Sequence, residues 1–187
     1  MFRWPLTTTK GVEFELRLLE LRDADELFAL ADANREHLRP WLPWIAWTYS
    51  AADVKKFLRS ALKQFSEGDG FHAGVWVEGR LAGCVGLHPI DWHNRHVAIG
   101  YWLGREWEGH GLVTAGALAV TRYCFEELAL ERVEIRAATG NTRSRAVPER
   151  LGFTLEGTLR RVQNVDGRWL DNAVYSILRD EAGRLIG

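Results

Sequence analysis

The sequence predicts an α/β fold with a mixed, mostly antiparallel twisted sheet of about seven strands, flanked by about four helices. Stretches such as Arg132–Thr139 alternate apolar and polar residues, which is typical of a strand with one wet face. Longer stretches repeat apolar residues at helical spacing, and Asp166-Gly167 marks a tight hairpin turn. The predicted order of elements is β-α-α-β-β-β-α-β-α-β-β. This order indicates antiparallel strands first and one crossover helix after the fourth strand.

The first third of the chain contains one predicted strand and two predicted helices. Val12–Leu19 alternates and therefore predicts the strand. Asp23 with Glu26 matches a capping box that opens a helix to about residue 35, and Ser50 begins a second helix to about residue 67. The segment between the helices, HLRPWLPWIAWTY, contains two prolines and three tryptophans and predicts an irregular aromatic loop.

The rest of the chain is assigned from the same periodicities. NTRSRAVPERLGF, residues 141–153, predicts a loop followed by a short helix. Two final strands are expected on either side of the type I′ turn at Asp166-Gly167. The other predicted elements are the strands Phe71–Val77, Leu81–Pro89, Val97–Leu103 and Arg132–Thr139 and the helix Leu112–Leu128.

The composition is that of an ordinary globular protein. The chain has 187 residues, 47% hydrophobic and 26% charged, so we expect one domain spanning residues 1–187. A formal net charge of −1 argues against nucleic acid or an anionic membrane as a partner. The two cysteines, Cys84 and Cys124, argue against a disulfide framework or a structural zinc site. Neither a secretory signal nor an apolar span is visible, so we expect a cytoplasmic protein.

The segment Gly104–Gly111 joins a predicted strand to a predicted helix. A Walker loop would need Lys and then Ser or Thr where His110 and Gly111 stand, and a dinucleotide fingerprint would need a third glycine at Thr114. An anion site remains possible, because the first N–H groups of a helix lack internal partners and glycines leave them accessible. A diphosphate without a metal ion fits such a site. A plain tight turn into a helix is the alternative.

A second segment follows about thirty residues later and contains Asn141, Ser144, Glu149, Gly152 and Phe153 in order. The first two side chains are suited to contact the amides and the thiol of a ligand. The alternative is purely structural, because asparagine also caps helices and glycine also ends them. The two interpretations are compatible.

Together, WEGHGLVT around Gly109 and Gly111 and NTRSRAVPERLGF from Asn141 resemble the GNAT superfamily of acyl-coenzyme A N-acyltransferases. RPWLPW, IGYWL, LGFTLEGTLR and DGRWLDNAVYSIL are similar to segments of the RimJ/RimL-type ribosomal-protein N-terminal (serine/alanine) acetyltransferases. The similarity extends from about Leu16 to Leu178. It implies a GNAT fold, acetyl-CoA as cosubstrate, no metal, and direct acetyl transfer to a primary amine.

The resemblance also implies roles for individual residues. Backbone N–H groups from Glu108 to Val113 would hold the pyrophosphate of acetyl-CoA, and the strand ending at Trp102 and Leu103 would pair with the pantetheine arm. Ser144 would protonate the leaving thiolate. The implied cosubstrate-binding residues are Trp102, Leu103, Glu108, Gly109, His110, Gly111, Leu112, Val113, Asn141, Arg143 and Ser144. The carboxylates of Glu106 and Glu108 would repel a pyrophosphate unless they point to solvent.

The acceptor and its base are less sharply defined by the sequence. An α-amine with a pKa near ~7.8 is more often neutral than a lysine near ~10.4, so it needs less help from a base. Glu156 is the first candidate for the catalytic base, followed by Asp91 and His88. For Glu156 the alternative is a solvated or ion-paired strand residue. His88, His93 and His96 lack the supporting ligands of a metal site.

The tryptophans of the aromatic loop have two interpretations. Trp41, Trp44 and Trp47 close the core or form an oligomer contact, or else Trp41 and Trp44 line a groove for the acceptor. The acceptor expected from the resemblance is the N-terminal α-amine of a ribosomal protein. A small-molecule amine, such as a polyamine or antibiotic, is the alternative acceptor. A non-catalytic acyl-CoA-binding module and a homo-oligomer also remain open.

Overall fold

The computed structural model describes residues 3–185, which form one eight-stranded sheet and five α-helices. The strands are β1 Arg3–Thr7, β2 Glu13–Leu18, β3 His72–Val77, β4 Arg80–Leu87, β5 His96–Leu103, β6 Arg132–Ala138, β7 Thr154–Val165 and β8 Arg168–Leu178. The helices are α1 Ala24–Ala33, α2 Arg35–Leu38, α3 Ala51–Ser66, α4 Leu112–Glu126 and α5 Thr142–Leu151.

The sheet is mixed and mostly antiparallel, as predicted. Its strand order is β1-β2-β3-β4-β5-β6-β8-β7, and β5 with β6 is the parallel pair. Helix α4 makes the crossover between these two strands. The predicted fold class is therefore confirmed, with one strand and one short helix more than expected.

Helices cover both faces of the sheet. Helices α4 and α5 bury residues such as Val120 and Leu151 in the main core, together with Ile99 and Ile135 of the central strands. Helices α1 and α3 bury a second, smaller cluster on the other side, which includes Leu58. Strands β3 and β4 thus contribute alternating residues to both clusters, as Val75 and Trp76 of β3 do.

Two local predictions are confirmed by hydrogen bonds and backbone angles. The hydroxyl of Ser50 accepts a hydrogen bond from the backbone N–H of Asp53 at 3.3 Å and caps α3. Asp166 and Gly167 have φ values of 50° and 78°, as a type I′ turn requires. Local chemistry alone determines these features, which is why the sequence predicts them.

The capping box expected at Asp23 and Glu26 is wrong. The Asp23 carboxylate accepts hydrogen bonds from the backbone N–H of Glu20, at 2.8 Å, and from Arg17, at 3.0 Å. The Glu26 carboxylate accepts from the backbone N–H of Leu81, at 2.8 Å. Asp23 therefore closes a capping box with Glu20 before helix α1, and Glu26 makes a tertiary contact with β4.

The first strand of the structure, β1, lacks a counterpart in the prediction. It pairs antiparallel with β2 from Arg3 opposite Arg17 to Thr7 opposite Glu13. Pro5 lies within it, and proline is tolerated in a strand at the edge of a sheet. The proline and the short length hide the strand from a periodicity argument.

Candidate active site

Strands β5 and β6 separate at the end that leads into α4 and α5. Their parallel pairing ends at Ile99 and Ile135. Beyond this point β5 stays paired with β4 as far as Leu103, and β6 stays paired with β8 as far as Ala138. A gap therefore opens between residues 100–103 and residues 136–138, and we call it the splay.

The N-terminus of α4 is free of any side-chain cap among residues 3–185. Gly111 precedes the helix with φ +84°, and Gly109 has φ +79°, both in the left-handed region that glycine adopts without strain. Leu112 anchors the helix by its buried side chain. The N–H groups of the first turn consequently lack an acceptor, and with the helix dipole they favour an anion. This turn has the geometry that an anion site requires.

The N-terminus of α5 is built differently, because its side-chain cap is present. The Asn141 Oδ1 atom accepts a hydrogen bond from the backbone N–H of Ser144 at 3.1 Å, and Gly152 ends the helix with φ +85°. The structural interpretation of this segment is thus confirmed. The cap also fixes the position of half-buried Ser144 at the end of β6 where the splay opens.

Tyr101 is a residue of this region that the sequence argument missed. Its hydroxyl donates a hydrogen bond to the backbone carbonyl of Ser144 at 2.9 Å and so joins β5 to α5 across the splay. Burial raises the pKa of the Tyr101 phenol, so the group remains a donor at neutral pH. The spacing of two residues between Ile99 and Tyr101 could have placed both on the face of the sheet that packs against α4 and α5.

The carboxylates near the anion site are both paired with cationic or imidazole groups. Glu108 contacts Nε2 of His37 at 3.1 Å and also binds the guanidinium of Arg143. Glu106 pairs with exposed Arg80 at 3.1 Å. These contacts reduce the repulsion that two free carboxylates would exert on a pyrophosphate.

The carboxylate of Glu156 is engaged by Arg132, the first residue of β6, although the strand register places the backbone of Glu156 next to Tyr175, which pairs with Ile135 where the splay begins. Two oxygens of the Glu156 carboxylate accept hydrogen bonds from Arg132, at 2.5 and 2.6 Å, and one also accepts from Ser176 at 2.8 Å. The ion pair with Arg132 lowers the pKa of Glu156 to about 2. The structure therefore shows the ion-paired alternative for Glu156 and adds no support for its role as the catalytic base, which stays a prediction.

Asp91 is unsuited to act at the splay. Its carboxylate accepts hydrogen bonds from the backbone and the side chain of Asn94, at 2.8 Å each, and lies 3.4 Å from the imidazole of His96. These bonds lower the pKa of Asp91. His96 begins β5, so Asp91 lies at the paired end of the strand.

The aromatic loop lies against the face of the sheet opposite to α4 and α5. Trp44 packs on Trp102 with ring centroids 5.6 Å apart. A Cβ atom at residue 140 would lie 3.7 Å from the Trp41 ring, which places this ring beside the residue preceding Asn141. Trp47 is 64% exposed. Trp44 thus contributes mainly to packing, whereas Trp41 lies next to the splay.

Two further features concern the described part of the chain as a whole. Residues 3–185 contain no group of three or more histidine, cysteine or acidic side chains that could hold a metal ion. They also contain no helix with the length and hydrophobicity needed to cross a bilayer.

Comparison with known proteins adds a family and relatives. The acetyltransferase (GNAT) domain family matches residues 13–154. The chain is 42% identical over 168 residues to YdaF of Bacillus subtilis, whose name assigns it to ribosomal N-acetyltransferases; the match covers 89% of this chain and 91% of YdaF.

Solved structures show the same fold. RimJ of Mycobacterium smegmatis, in complex with CoA-disulfide, has a TM-score of 0.88 and 27% identity, covering 97% of this chain and 91% of RimJ. The microcin C7 self-immunity acetyltransferase MccE, in complex with acetyl-CoA and AMP, has a TM-score of 0.85 and 27% identity, covering 94% of this chain and 97% of MccE.

Proposed function

The chain belongs to the GNAT acetyltransferase family and is an acetyl-CoA-dependent N-acetyltransferase, and on this premise we propose that its acceptor is the N-terminal α-amine of a ribosomal protein. The observation that carries the proposal is the 42% identity to YdaF over nearly the full length of both chains. The proposal treats the chain as one catalytic domain that acts in the cytoplasm, where ribosomal proteins are made.

Acetyl-CoA supplies an acetyl group activated as a thioester, and we assign its pyrophosphate to the N-terminus of α4. The N–H groups from Glu108 to Val113 would bind the phosphate oxygens, which fits the uncapped turn around Gly111. That of Glu108 already donates to the carbonyl of Arg105 at 3.3 Å, so the groups after it are the ones left for the ligand. His110 and Arg143 are exposed at this site. The positive charge of Arg143 would add to the binding of phosphate.

The splay provides the path for the pantetheine arm in this proposal. The backbone of β5 at Trp102 and Leu103 has no neighbouring strand on the side of β6 within the described residues, so its polar groups on this side are suited to bind the amides of the arm. Asn141 would bind the arm through its side-chain N–H groups, since its oxygen caps α5. Ser144, fixed by that cap, would donate a proton to the leaving thiolate.

The acceptor would approach from the opposite face of the sheet. Here the segment containing Trp41 lies beside the β7–β8 hairpin, and Gln163 donates a hydrogen bond to the Trp41 carbonyl at 2.9 Å. An open depression of about 430 Å³ next to this contact is lined by Glu36, Arg39, Pro40, Asp166 and Arg168. An open surface with charges of both signs is suited to the first residues of a peptide. Trp41 follows Pro40 of this surface and would contact the acceptor, whereas Trp44 would support that region through its packing on Trp102.

The test is an assay of thiol release with acetyl-CoA and peptides that begin with serine, alanine or threonine. We expect turnover with free peptides and none with the same peptides already acetylated at the N-terminus. Turnover with polyamines or aminoglycosides and with none of the peptides would show that the acceptor is a small-molecule amine. Calorimetry with CoA separates the remaining case, because binding without turnover of any amine would indicate a non-catalytic acyl-CoA-binding module.

A further inference from the structure

His88 lies at the point where the splay begins. It follows β4, and its backbone N–H donates a hydrogen bond to the carbonyl of Ala98 at 2.9 Å. A Cβ atom at residue 100 would lie 2.9 Å from Nε2 of His88 and 3.7 Å from the two neighbouring ring carbons. The tip of the imidazole therefore lies over Gly100, and a side chain at this position would have to displace the ring. Gly100 is the first residue of β5 beyond the last parallel pair with β6.

The imidazole faces the acceptor side of the sheet. Ile99 is buried in the main core with α4, and Tyr101 bonds to α5, so the residues between and after them face the other way. Trp102, on that other face, packs against Trp44 of the aromatic loop. His88, which covers Gly100, consequently lies on the face from which the acceptor approaches.

The opposite edge of the splay carries Arg136. Its neighbours Ile135 and Ala137 are buried, and Ile135 belongs to the main core, so Arg136 points to the same face as His88. Its Nε atom donates a hydrogen bond to Glu134 at 3.0 Å. One imidazole and one guanidinium thus flank the gap through which the acetyl group would be presented.

The groups around His88 favour its neutral form. Desolvation, first, and the positive charge of Arg136, second, lower its pKa from the usual value of 6.5. His72 of β3 is the other titratable neighbour, and burial lowers its pKa to about 4, so it is also neutral at pH 7. The carboxylate of Asp69 is engaged by the backbone rather than by the imidazole, because it accepts a hydrogen bond from the N–H of Ile90, two residues beyond His88, at 2.9 Å.

We propose that His88 is the catalytic base that takes the proton from the acceptor nitrogen. Its side chain is exposed and, within residues 3–185, no hydrogen bond occupies Nε2, the ring nitrogen nearest to the splay. An acceptor amine at the splay would therefore meet a neutral imidazole, which in its Nδ1–H tautomer carries the lone pair on Nε2. The proposal rests on N-acetyl transfer and holds for any primary amine as acceptor.

The step balances with the groups present. The neutral amine attacks the acetyl carbonyl carbon, the new C–N bond forms, and the nitrogen gains a positive charge. His88 Nε2 accepts the excess proton while the C–S bond breaks, and the departing thiolate takes a proton from the hydroxyl of Ser144. Solvent then removes the proton from His88 and returns one to Ser144, so that the amide and free CoA are the products.

The test compares His88→Gln with His93→Gln, a control that removes an exposed imidazole from the same loop. We expect His88→Gln to lower kcat by about 100-fold or more, leave the KM for acetyl-CoA unchanged, and remove the acidic limb of the pH–rate profile. The control should behave like the wild type. A His88→Gln enzyme with kcat within threefold of wild type and the same acidic limb would overturn the proposal.

A second measurement does not depend on turnover. Imidazole signals in NMR, recorded without acetyl-CoA, give the pKa of His88 directly. In Arg136→Gln this pKa should rise, because a nearby positive charge is lost. The apparent pKa of the acidic limb of the pH–rate profile should rise by the same amount. A limb that stays in place while the NMR pKa moves would show that another group is the base.

The third variant is Gly100→Ala. Its added methyl group needs space that the imidazole of His88 occupies. We expect its kcat to fall while circular dichroism and Tm show an intact fold. The acceptor in all three experiments is any primary amine that the wild type acetylates. A failure of the ribosomal-protein proposal would therefore change the substrate used here and would leave the test of His88 intact.

Discussion

The two ends of the β5–β6 pair satisfy their polar groups in opposite ways. At the paired end, Arg132 contacts both Glu134 and Glu156, and Ser176 donates a further hydrogen bond to Glu156. At the splayed end, the first N–H groups of α4 have no side-chain cap in the part of the chain that the structure describes. Charges that neutralise one another hold the sheet together, whereas polar groups without a partner are suited to a ligand.

The largest effect expected from this comparison comes from Gly111→Glu at the splayed end. A carboxylate placed beside the anion site repels the pyrophosphate by several kcal/mol, so CoA should bind on the order of 100-fold more weakly. Calorimetry measures the Kd. Gly111→Gln is the matched control, because it adds the same strain at φ +84° without the charge. Equal losses in both variants would mean that backbone strain, and not anion binding, explains the glycine.

Asn141→Ala tests whether the cap of α5 serves position as well as stability. Loss of a cap costs about 1 kcal/mol, which corresponds to a Tm lower by roughly 2–4 °C. Because Ser144 would also shift, kcat should fall on the order of 10- to 100-fold. Ser50→Ala removes the cap of α3, far from the splay, and should lower Tm similarly without lowering kcat. A normal kcat in Asn141→Ala would make this cap purely structural.

Glu108→Gln tests an intermediate case. The carboxylate of Glu108 is paired, as at the paired end, and yet it lies in the anion site at the splayed end. Removal of its charge should tighten CoA binding by about 3- to 10-fold, since it leaves Arg143 available to the phosphate. Repetition of the titration in high salt should reduce the gain, as screening weakens exposed charges. Weaker binding in this variant would show instead that Glu108 holds Arg143 in a useful position.

Glu156→Gln tests the paired end, and its effect on activity should be the smallest. We expect kcat to stay within twofold of wild type. Because the folded-state pKa of Glu156 is about 2, below its usual 4.5, its ion pair stabilises the fold above pH 4.5, and this contribution disappears as the pH falls towards 2. Urea unfolding at pH 6 and at pH 3 should therefore show a larger loss of stability at pH 6. A large loss of kcat would support a catalytic role for this residue.

The sequence predicts those features that depend on neighbouring residues. The caps at Ser50 and Asn141, the turn at Asp166-Gly167 and the glycine turn before α4 are all encoded within a few positions. The family resemblance adds the GNAT fold. These features are enough to define the fold and the cosubstrate side of the candidate site.

The features that sequence reasoning missed depend on pairing between distant segments. Glu156 lies in the right kind of strand, but its carboxylate is engaged by Arg132, a residue 24 positions away that only the pairing of β6, β7 and β8 brings beside it. The hydrogen bond from Tyr101 to Ser144 joins residues 43 positions apart. Strand register and contacts across the splay depend on the whole fold, so no local pattern reveals them.

The close contact between His88 and Gly100 also has a consequence for how this pair of positions can evolve. Any side chain at position 100 competes for the space of the imidazole, so substitution there removes the ring from its place even if the histidine is retained. The two positions are therefore coupled, because a larger residue at position 100 requires the ring of His88 to move. Under the proposal for His88, such a change would also move the proton acceptor on the acceptor face.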